Sequence, residues 1–390
     1  MKIALVTDGI QPYVIGGMQR HSYFIAKYLA QNNVYVDLYH CRKNREHDIH
    51  KLEVFTDTEK KFIRSFVIDF PSTKIRFPGH YLLSSYRYSE KIFDVLKKNL
   101  DGVDFIYCKG FSGWKLLEEK NTEKKFPPIG VKFHGLNMFQ KPPSFRGWLE
   151  QLMFRPAVKF NMKYPDYVFS YGGKITAITK HIGIAENKII EIPTGIEDSF
   201  LASGIRHPTS VIKFLYVGRY ERLKGIQEIS EAIKNLSRGK NFEFHFIGPI
   251  PEKLQLKNKE VKYYGQISSA EEIKKIMDEC DFLLLPSYSE GMPNVIIEAM
   301  ARGLAIIATD VGAVNCLVDS ENGFLLNECS VKNIEDAMVA VISLSQEKLI
   351  QMKNNSLKKI RKNFLWENIA VKLIAELQKI ISHKSTSHFS

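Results

Sequence analysis

Two carboxylates with seven residues between them, Glu290 and Glu298, carry the most explicit chemistry in this chain. They lie in SYSEGMPNVIIEAMARG, Ser287 to Gly303. The apolar run Phe282 to Leu285 before it reads as a buried strand, Ser287 to Met292 as a turn leaving the sheet, and a helix opens at Pro293 and closes at Gly303. Proline suits a first helical turn and glycine the residue just past a helix end. The N–H groups at such a start have no partner within the helix and form a site for a phosphate. Carboxylates beside an anion site make poor phosphate ligands but good acceptors for sugar hydroxyls. Either glutamate alone reads equally well as a solvated acid on an amphipathic helix. Set around one helix start, the pair points to a ligand that carries both phosphate and sugar.

Two cations and a histidine sit where they could serve the same ligand. Arg219 follows the apolar strand ending at Val217, and Lys224 lies at the start of the next helix, positions from which a departing diphosphate can be neutralised. His134 lies at the C-terminal end of the strand Gly130 to Phe133, the end at which open α/β sheets place ligands. The pair Gly16-Gly17, between the first strand and the first helix, lets backbone approach a ligand closely. It is not the G-x-G-x-x-G dinucleotide fingerprint. No cluster has metal-ligand spacing and no D-x-D motif occurs beside these residues. Neither a metal nor a cofactor beyond that ligand is expected.

The segment holding Glu290 and Glu298 resembles the E-x7-E signature of retaining glycosyltransferases of the GT-B type, closest to glycosyltransferase family 4. Upstream, FLYVGRYERLKG is similar to the family's V-G-R-x-x-x-x-K-G segment; downstream, AIIATDVGAVNCLVDSENGFLL is similar to its strand, glycine turn and N-G-F-L-L segment. The resemblance implies an α/β fold of two Rossmann-like, doubly wound domains facing across a cleft, with a C-terminal helix crossing back to the first domain. It implies donor contacts from Glu298 to ribose, from Glu290 to the sugar, and from Gly291, Met292, Asn294 and Val295 at the helix start. Arg219 and Lys224 would hold the diphosphate, Gly16 and Gly17 would lie between donor phosphate and acceptor, and His134 would face the donor sugar. His134, Glu290, Arg219 and Lys224 are then the catalytic set. The loop Gly265 to Ile267 would read the base through backbone groups. The family's usual P-N-G-V-D departs here to PTGIED, with Thr194 for Asn and Glu197 for Asp. Retention is attributed in the family to attack on the face from which the diphosphate leaves, so no side-chain nucleophile is required. The donor is a nucleoside diphosphate sugar, UDP more often than GDP. The acceptor hydroxyl belongs to a glycan or lipid-linked molecule of polysaccharide, lipopolysaccharide or glycolipid synthesis. A nucleotide-sugar 2-epimerase on the same fold and a non-catalytic sugar-binding protein are the alternatives.

The chain has 390 residues, suited to two domains, and 44% apolar residues. Its net charge is +12. Residues 1–200 hold 30 Lys and Arg against 21 Asp and Glu, a surplus of 9, and the rest hold 25 against 22, a surplus of 3. Basic surface attracts phosphorylated substrates, anionic lipid or nucleic acid, and no nucleic-acid motif accompanies the charge. The basic and aromatic stretches 70–88 and 141–165 suit a membrane interface or an acceptor groove, although such stretches are more often solvated surface. Five scattered cysteines without a C-x-x-C pair read as buried thiols of a reducing compartment. Neither a signal-peptide core nor a membrane span is expected. The placement is therefore cytoplasmic, with peripheral contact at the inner face of the cell membrane.

Strands are expected at Lys2–Thr7, Val34–Tyr39, Phe105–Cys108, Gly130–Phe133 and Ile175–Thr179, then at Lys213–Val217, Glu243–Ile247, Val261–Tyr264, Phe282–Leu285 and Ala305–Ala308. Helical stretches alternate with them, the pattern of parallel sheets. Residues 42–64 read as charged and without periodicity. The organisation that follows is a first domain over 1–200, a linker over 201–210, a donor domain over 211–363, and over 364–390 a helix (Phe364 to Ile381) packing back on the first domain, with a mobile tail.

Overall fold

The computed structural model describes residues 1–41, 52–71, 79–122, 126–207, 209–237 and 239–387. Residues 42–51 and 72–78 of the charged and basic stretches, and 388–390 of the tail, lie outside the described residues. The first sheet is built from β1 (Lys2–Val6), β2 (Tyr35–His40), β3 (Ile63–Val67), β4 (Phe105–Lys109), β5 (Ile129–Lys132), β6 (Tyr167–Ser170) and β7 (Ile189–Glu191). Its helices are α1 (Gly17–Gln31), α2 (Asp57–Lys60), α3 (His80–Leu96), α4 (Trp114–Thr122), α5 (Phe145–Lys163) and α6 (Gly173–His181). The second sheet contains β8 (Ile212–Val217), β9 (Phe242–Ile247), β10 (Val261–Tyr263), β11 (Phe282–Leu285), β12 (Ala305–Thr309) and β13 (Gly323–Leu326). It is wrapped by α7 (Ile226–Leu236), α8 (Ala270–Glu279), α9 (Asn294–Ala301), α10 (Val314–Leu317), α11 (Val331–Ile342) and α12 (Gln346–Asn363), and α13 (Trp366–Ser387) closes the chain.

Both sheets are parallel, in the orders β3-β2-β1-β4-β5-β6-β7 and β10-β9-β8-β11-β12-β13. Central parallel strands are covered on both faces, so they are written as continuous apolar runs. All four residues of β11, FLLL, are buried, as are the five of β12. In each sheet the winding reverses once, between β1 and β4 and between β8 and β11. A crevice opens outside the carboxyl ends of the strands at such a reversal. The loops carrying Gly16-Gly17, Lys224 and Glu290 all leave the sheets there.

The last helix returns to the first domain. Leu365 bridges to Ile196, and Trp366 stacks on Phe24 and Tyr28 of α1 with ring centroids 5.3 and 6.0 Å away. The Tyr28 hydroxyl donates to Glu367 at 3.0 Å. This helix begins two residues later than the sequence suggests, because Phe364 ends α12, and it runs on through Ser387 into what reads as a tail.

Several local expectations are corrected. Ile175–Thr179 is not a strand but the middle of α6: Gly172 and Gly173, both at positive φ, turn the chain out of β6 into a helix that buries Ile175 and Thr179, four residues apart. The β-branched residues that suggest a strand are overruled by this packing. The charged stretch 42–64 hides α2, closed by a capping box between Thr56 and Glu59, and the start of β3. Of the cysteines, Cys41, Cys108 and Cys280 are buried, whereas Cys316 and Cys329 are half-buried. α9 starts at Asn294, with Pro293 as its cap residue.

Candidate active site

After β11 the chain turns through Ser287 to Met292 and presents the Glu290 carboxylate to two donors. Ser287 Oγ donates to Glu290 Oε1 at 2.7 Å and Lys224 Nζ donates to the same oxygen at 2.6 Å. Lys224 reaches it because Gly225, at φ +68°, lets its loop pass against Pro286, where a Cβ would stand 2.3 Å from the Pro286 carbonyl oxygen. The glycine of the K-G pair is thus what brings the lysine to the glutamate. Arg219 is not gathered with them. Its side chain is 75% exposed and pairs with Glu221 at 3.0 Å.

The first domain clasps the same turn. Gln140 Nε2 donates to the Glu290 carbonyl at 2.7 Å. A Cβ on Gly291 would lie 1.9 Å from the His134 carbonyl oxygen, so only glycine lets the two backbones meet. A Cβ on Gly17 would lie 2.8 Å from His134 Nε2 and 3.7 Å from Asn294 Nδ2. Gly17, His134 and the first residue of α9 therefore converge on one point of the cleft. Thr194, where the family usually has asparagine, donates to Asn294 Oδ1 at 3.5 Å. Glu197 pairs with Lys27 at 2.6 Å.

His134 is held by Tyr171, whose hydroxyl stands 2.8 Å from Nδ1. Burial raises the Tyr171 pKa, so the phenol keeps its proton. His134 is pushed down to about 3, by burial first and then by Lys109, Lys132 and Lys224, so the imidazole is neutral. Among the described residues the Tyr171 hydroxyl has one acceptor, Nδ1, and a buried O–H left without one costs about 1–3 kcal/mol. The hydroxyl therefore donates to Nδ1, and the ring proton resides on Nε2, which faces Gly17 and the cleft.

Near this histidine lie two lysines that no motif in the sequence marks. Lys109 and Lys132 are register partners on β4 and β5, and both are fully buried. Lys109 Nζ stands 3.0 Å from His21 Nδ1, and Lys132 Nζ lies 3.9 Å from the centre of the Tyr171 ring and donates to the Ile192 carbonyl. Burial pushes Lys109 down to about 7 and Lys132 well below its ordinary value. His21 is a core residue, packed edge-on against Trp366 at 5.3 Å.

Glu298, on α9, forms an ion pair with Arg20 of α1. The pair lines a cavity of about 460 Å³ with Gln11, Pro12, Ser268 and Ile273. Ser268 directly follows the Gly265–Ile267 loop, so this cavity joins Glu298 to the segment expected at the base. Arg20 has no motif in the sequence; its place four residues after Gly16, one helical turn into α1, is the signal that could have found it.

Two family models cover most of the chain: Glycosyltransferase Family 4 over residues 15–200 and Glycosyl transferases group 1 over residues 212–343. The chain belongs to glycosyltransferase family 4. This family 4 chain is 38% identical over 124 residues to the putative teichuronic acid biosynthesis glycosyltransferase TuaC of Bacillus subtilis, a match covering 32% of this chain and 31% of that protein. It is 24% identical to the uncharacterized glycosyltransferase MJ1178 of Methanocaldococcus jannaschii over 84% of this chain and 88% of that one. It is 23% identical to N,N'-diacetylbacillosaminyl-diphospho-undecaprenol alpha-1,3-N-acetylgalactosaminyltransferase of Campylobacter jejuni, over 59% of this chain and 65% of that protein. Its fold matches that of sucrose-phosphate synthase from Thermosynechococcus elongatus, TM-score 0.75 at 17% identity, covering 98% and 99% of the two chains. It also matches Anabaena Alr3699/HepE in complex with UDP-glucose, TM-score 0.64 at 17% identity, covering 99% and 100%. The glycosyltransferase has the GT-B arrangement of two parallel sheets facing across a cleft. Among its described residues no helix is long and apolar enough to cross a membrane.

Proposed function

We propose that this glycosyltransferase is a retaining, metal-independent enzyme that moves a sugar from a nucleoside diphosphate, UDP rather than GDP, to a hydroxyl of a lipid-linked acceptor in cell-surface polysaccharide synthesis. The observation that carries the reading is the Lys224–Glu290 contact at the start of α9, with Glu298 further along the same helix beside an open cavity. A sugar diphosphate laid across the helix start replaces that contact with two. Its phosphates take Lys224 and the free N–H groups of α9, and its hydroxyls take Glu290. The ribose then falls at Glu298 and the base near Ser268. Lys224 and the helix start neutralise charge that grows on the leaving diphosphate, which is where such groups accelerate a reaction. His134 offers a fixed N–H from Nε2 to the transferred sugar. The UDP-glucose bound by the Anabaena neighbour supports the choice of nucleotide. The teichuronic acid and diphospho-undecaprenol relatives support a glycan built on a lipid carrier.

The test is incubation with UDP-glucose, UDP-N-acetylgalactosamine and GDP-mannose, with and without a polyprenyl-diphosphate saccharide and with and without a chelator. Acceptor-dependent release of UDP, unchanged by chelator and giving a product of the donor's anomeric configuration, is expected. Sugar isomerisation without acceptor would make the protein an epimerase, and binding without turnover would make it a sugar-binding protein.

A further inference from the structure

Helix α5 carries a regular apolar stripe on its outside. Phe145, Trp148, Leu149, Leu152 and Met153 follow the i, i+3, i+4, i+7, i+8 spacing that normally faces a core, and all five are exposed, Phe145 to 74%. The core-facing side of the same helix is a different set, Ala157, Val158, Asn161 and Met162, confined to its last turns. The stripe does not end with α5. Met153 Sδ lies 3.5 Å from where a Cβ on Gly79 would stand, and one turn beyond Gly79 the exposed Leu83 of α3 continues the surface. Contiguous exposed apolar surface of this kind marks an interaction site.

Charge selects the occupant. Arg146, 90% exposed and paired with its helix neighbour Glu150, stands beside Phe145 in the first turn of α5. Residues 145–163 hold Arg146, Arg155, Lys159 and Lys163 against Glu150 alone, a surplus of 3. Arg87 follows Leu83 by one turn of α3 and is exposed. Two copies of one basic patch repel, whereas an anionic lipid surface draws apolar and basic side chains together. Tryptophan beside basic residues suits the headgroup region.

The inner side of α5, in the turns before its core-facing residues, gives the stripe its purpose. Gly147, Glu150, Gln151 and Phe154 line a groove of about 430 Å³ whose opposite wall is Arg222 and Leu223, immediately before Lys224. One helix thus turns one side to solvent and the opposite side to the groove that leads to Lys224.

We propose that the exposed face of α5, extended by Leu83 of α3, docks on an anionic lipid bilayer and so sets the mouth of the cleft against the membrane. A lipid-linked acceptor keeps its chain in the bilayer and passes its headgroup along the α5 groove toward Lys224 and Glu290. The second statement rests on the function proposed above; the docking itself does not.

Trp148 supplies the probe, because the other tryptophans lie inside: Trp366 is buried and Trp114 half-buried against Phe111 and Phe160. With vesicles of equal parts phosphatidylglycerol and phosphatidylethanolamine at low salt, Trp148 emission is expected to shift to the blue and to be quenched by brominated acyl chains. Phosphatidylcholine vesicles should have little effect, and added salt should weaken the shift. Leu149→Glu and Leu152→Glu, both on the outside of the helix, are expected to lower vesicle affinity roughly 10-fold or more while leaving UDP binding intact. The same variants should lose transfer to an acceptor embedded in vesicles and keep transfer to a water-soluble analogue. No binding to anionic vesicles at low salt overturns the docking, and so does sedimentation with vesicles that leaves Trp148 emission unmoved. A dimer that Leu149→Glu dissociates would assign the face to a second copy instead. Vesicle binding by a protein that transfers no sugar would leave the docking standing and remove only the acceptor route.

Discussion

Lys224 Nζ and Glu290 Oε1 stand 2.6 Å apart, joining the loop after β8 to the turn after β11 across the switch point of the second sheet. The contact satisfies both charges in a partly buried place. Under the function proposed above, it holds the cation on the phosphate side and the carboxylate on the sugar side.

The cations near this contact should separate by position. Lys224→Ala removes the charge proposed to meet the leaving diphosphate and is expected to lower turnover by roughly 10- to 1000-fold. Arg219, exposed and paired with Glu221, should tolerate alanine within roughly 2- to 3-fold. Steady-state release of UDP from both variants is the measurement. Equal losses would mean that Arg219 swings into the site when donor binds.

At Gly291 the two domains meet backbone to backbone. Alanine there sets its Cβ against the His134 carbonyl, so the cleft must widen or the core must strain. A loss of about 1–3 kcal/mol in stability and about 100-fold in turnover is expected, the second because His134, Gly17 and Asn294 separate. Thermal melting and initial rates check it. A variant as active as the parent would mean that the contact is not kept during catalysis.

Tyr171→Phe keeps the ring and its packing on Lys132 and removes only the hydroxyl on His134 Nδ1. The imidazole then loses the bond that fixes its proton on Nε2. A mixture of tautomers in the nitrogen-15 spectrum of His134 is expected, with turnover reduced about 10-fold and UDP affinity unchanged. An unaltered Nε2–H signal would show that something else holds the ring.

What could be read from the sequence follows from range. The central strands are legible because burial on both faces writes them as apolar runs such as FLLL, and the Glu290 turn is legible because glycine, proline and two acids lie within one segment. The misread segment, Ile175–Thr179, depends on neighbours: the glycine turn after β6 and the surface it packs on decide for helix. Arg20 and Glu298 are 278 residues apart, and nothing local marks them as partners. Lys109 and Lys132 look like solvated strand ends because their burial comes from α1 and the loop of Tyr171, which only the closed domain supplies.

The buried lysines predict a dependence on pH. Lys109 titrates near 7 in the folded protein and near the ordinary lysine value of about 10.4 when unfolded. Between those limits the unfolded chain holds the extra proton. Stability should therefore rise with pH over the window from about 7 to 10, by at most about 1.4 kcal/mol per unit. Lys109→Met removes that group while Lys132 stays. Denaturant unfolding of both proteins across the window should show a steeper rise for the parent, and parallel curves would place the proton elsewhere.

The two glutamates should divide binding from turnover, because they are proposed to touch different parts of one donor. Glu298, proposed to accept from ribose hydroxyls that do not change during transfer, contributes uniform binding, which alters affinity and leaves turnover nearly intact. Its partner Arg20 already holds the carboxylate in place, so the ribose meets an oriented acceptor. Glu290 is proposed to hold hydroxyls of the transferred sugar, whose ring gains positive charge as its bond breaks, so its carboxylate is worth more in the transition state. Glutamine at each position keeps the volume and removes the charge. Glu298→Gln is expected to weaken UDP by roughly 10- to 100-fold, the range of a hydrogen bond to a charged group, while Glu290→Gln lowers turnover and leaves UDP affinity almost unchanged. Calorimetric titration of UDP into both variants decides the matter. Equal losses, or a loss confined to Glu290→Gln, would mean that the donor lies the other way round, with its nucleoside at the Lys224 side of the cleft.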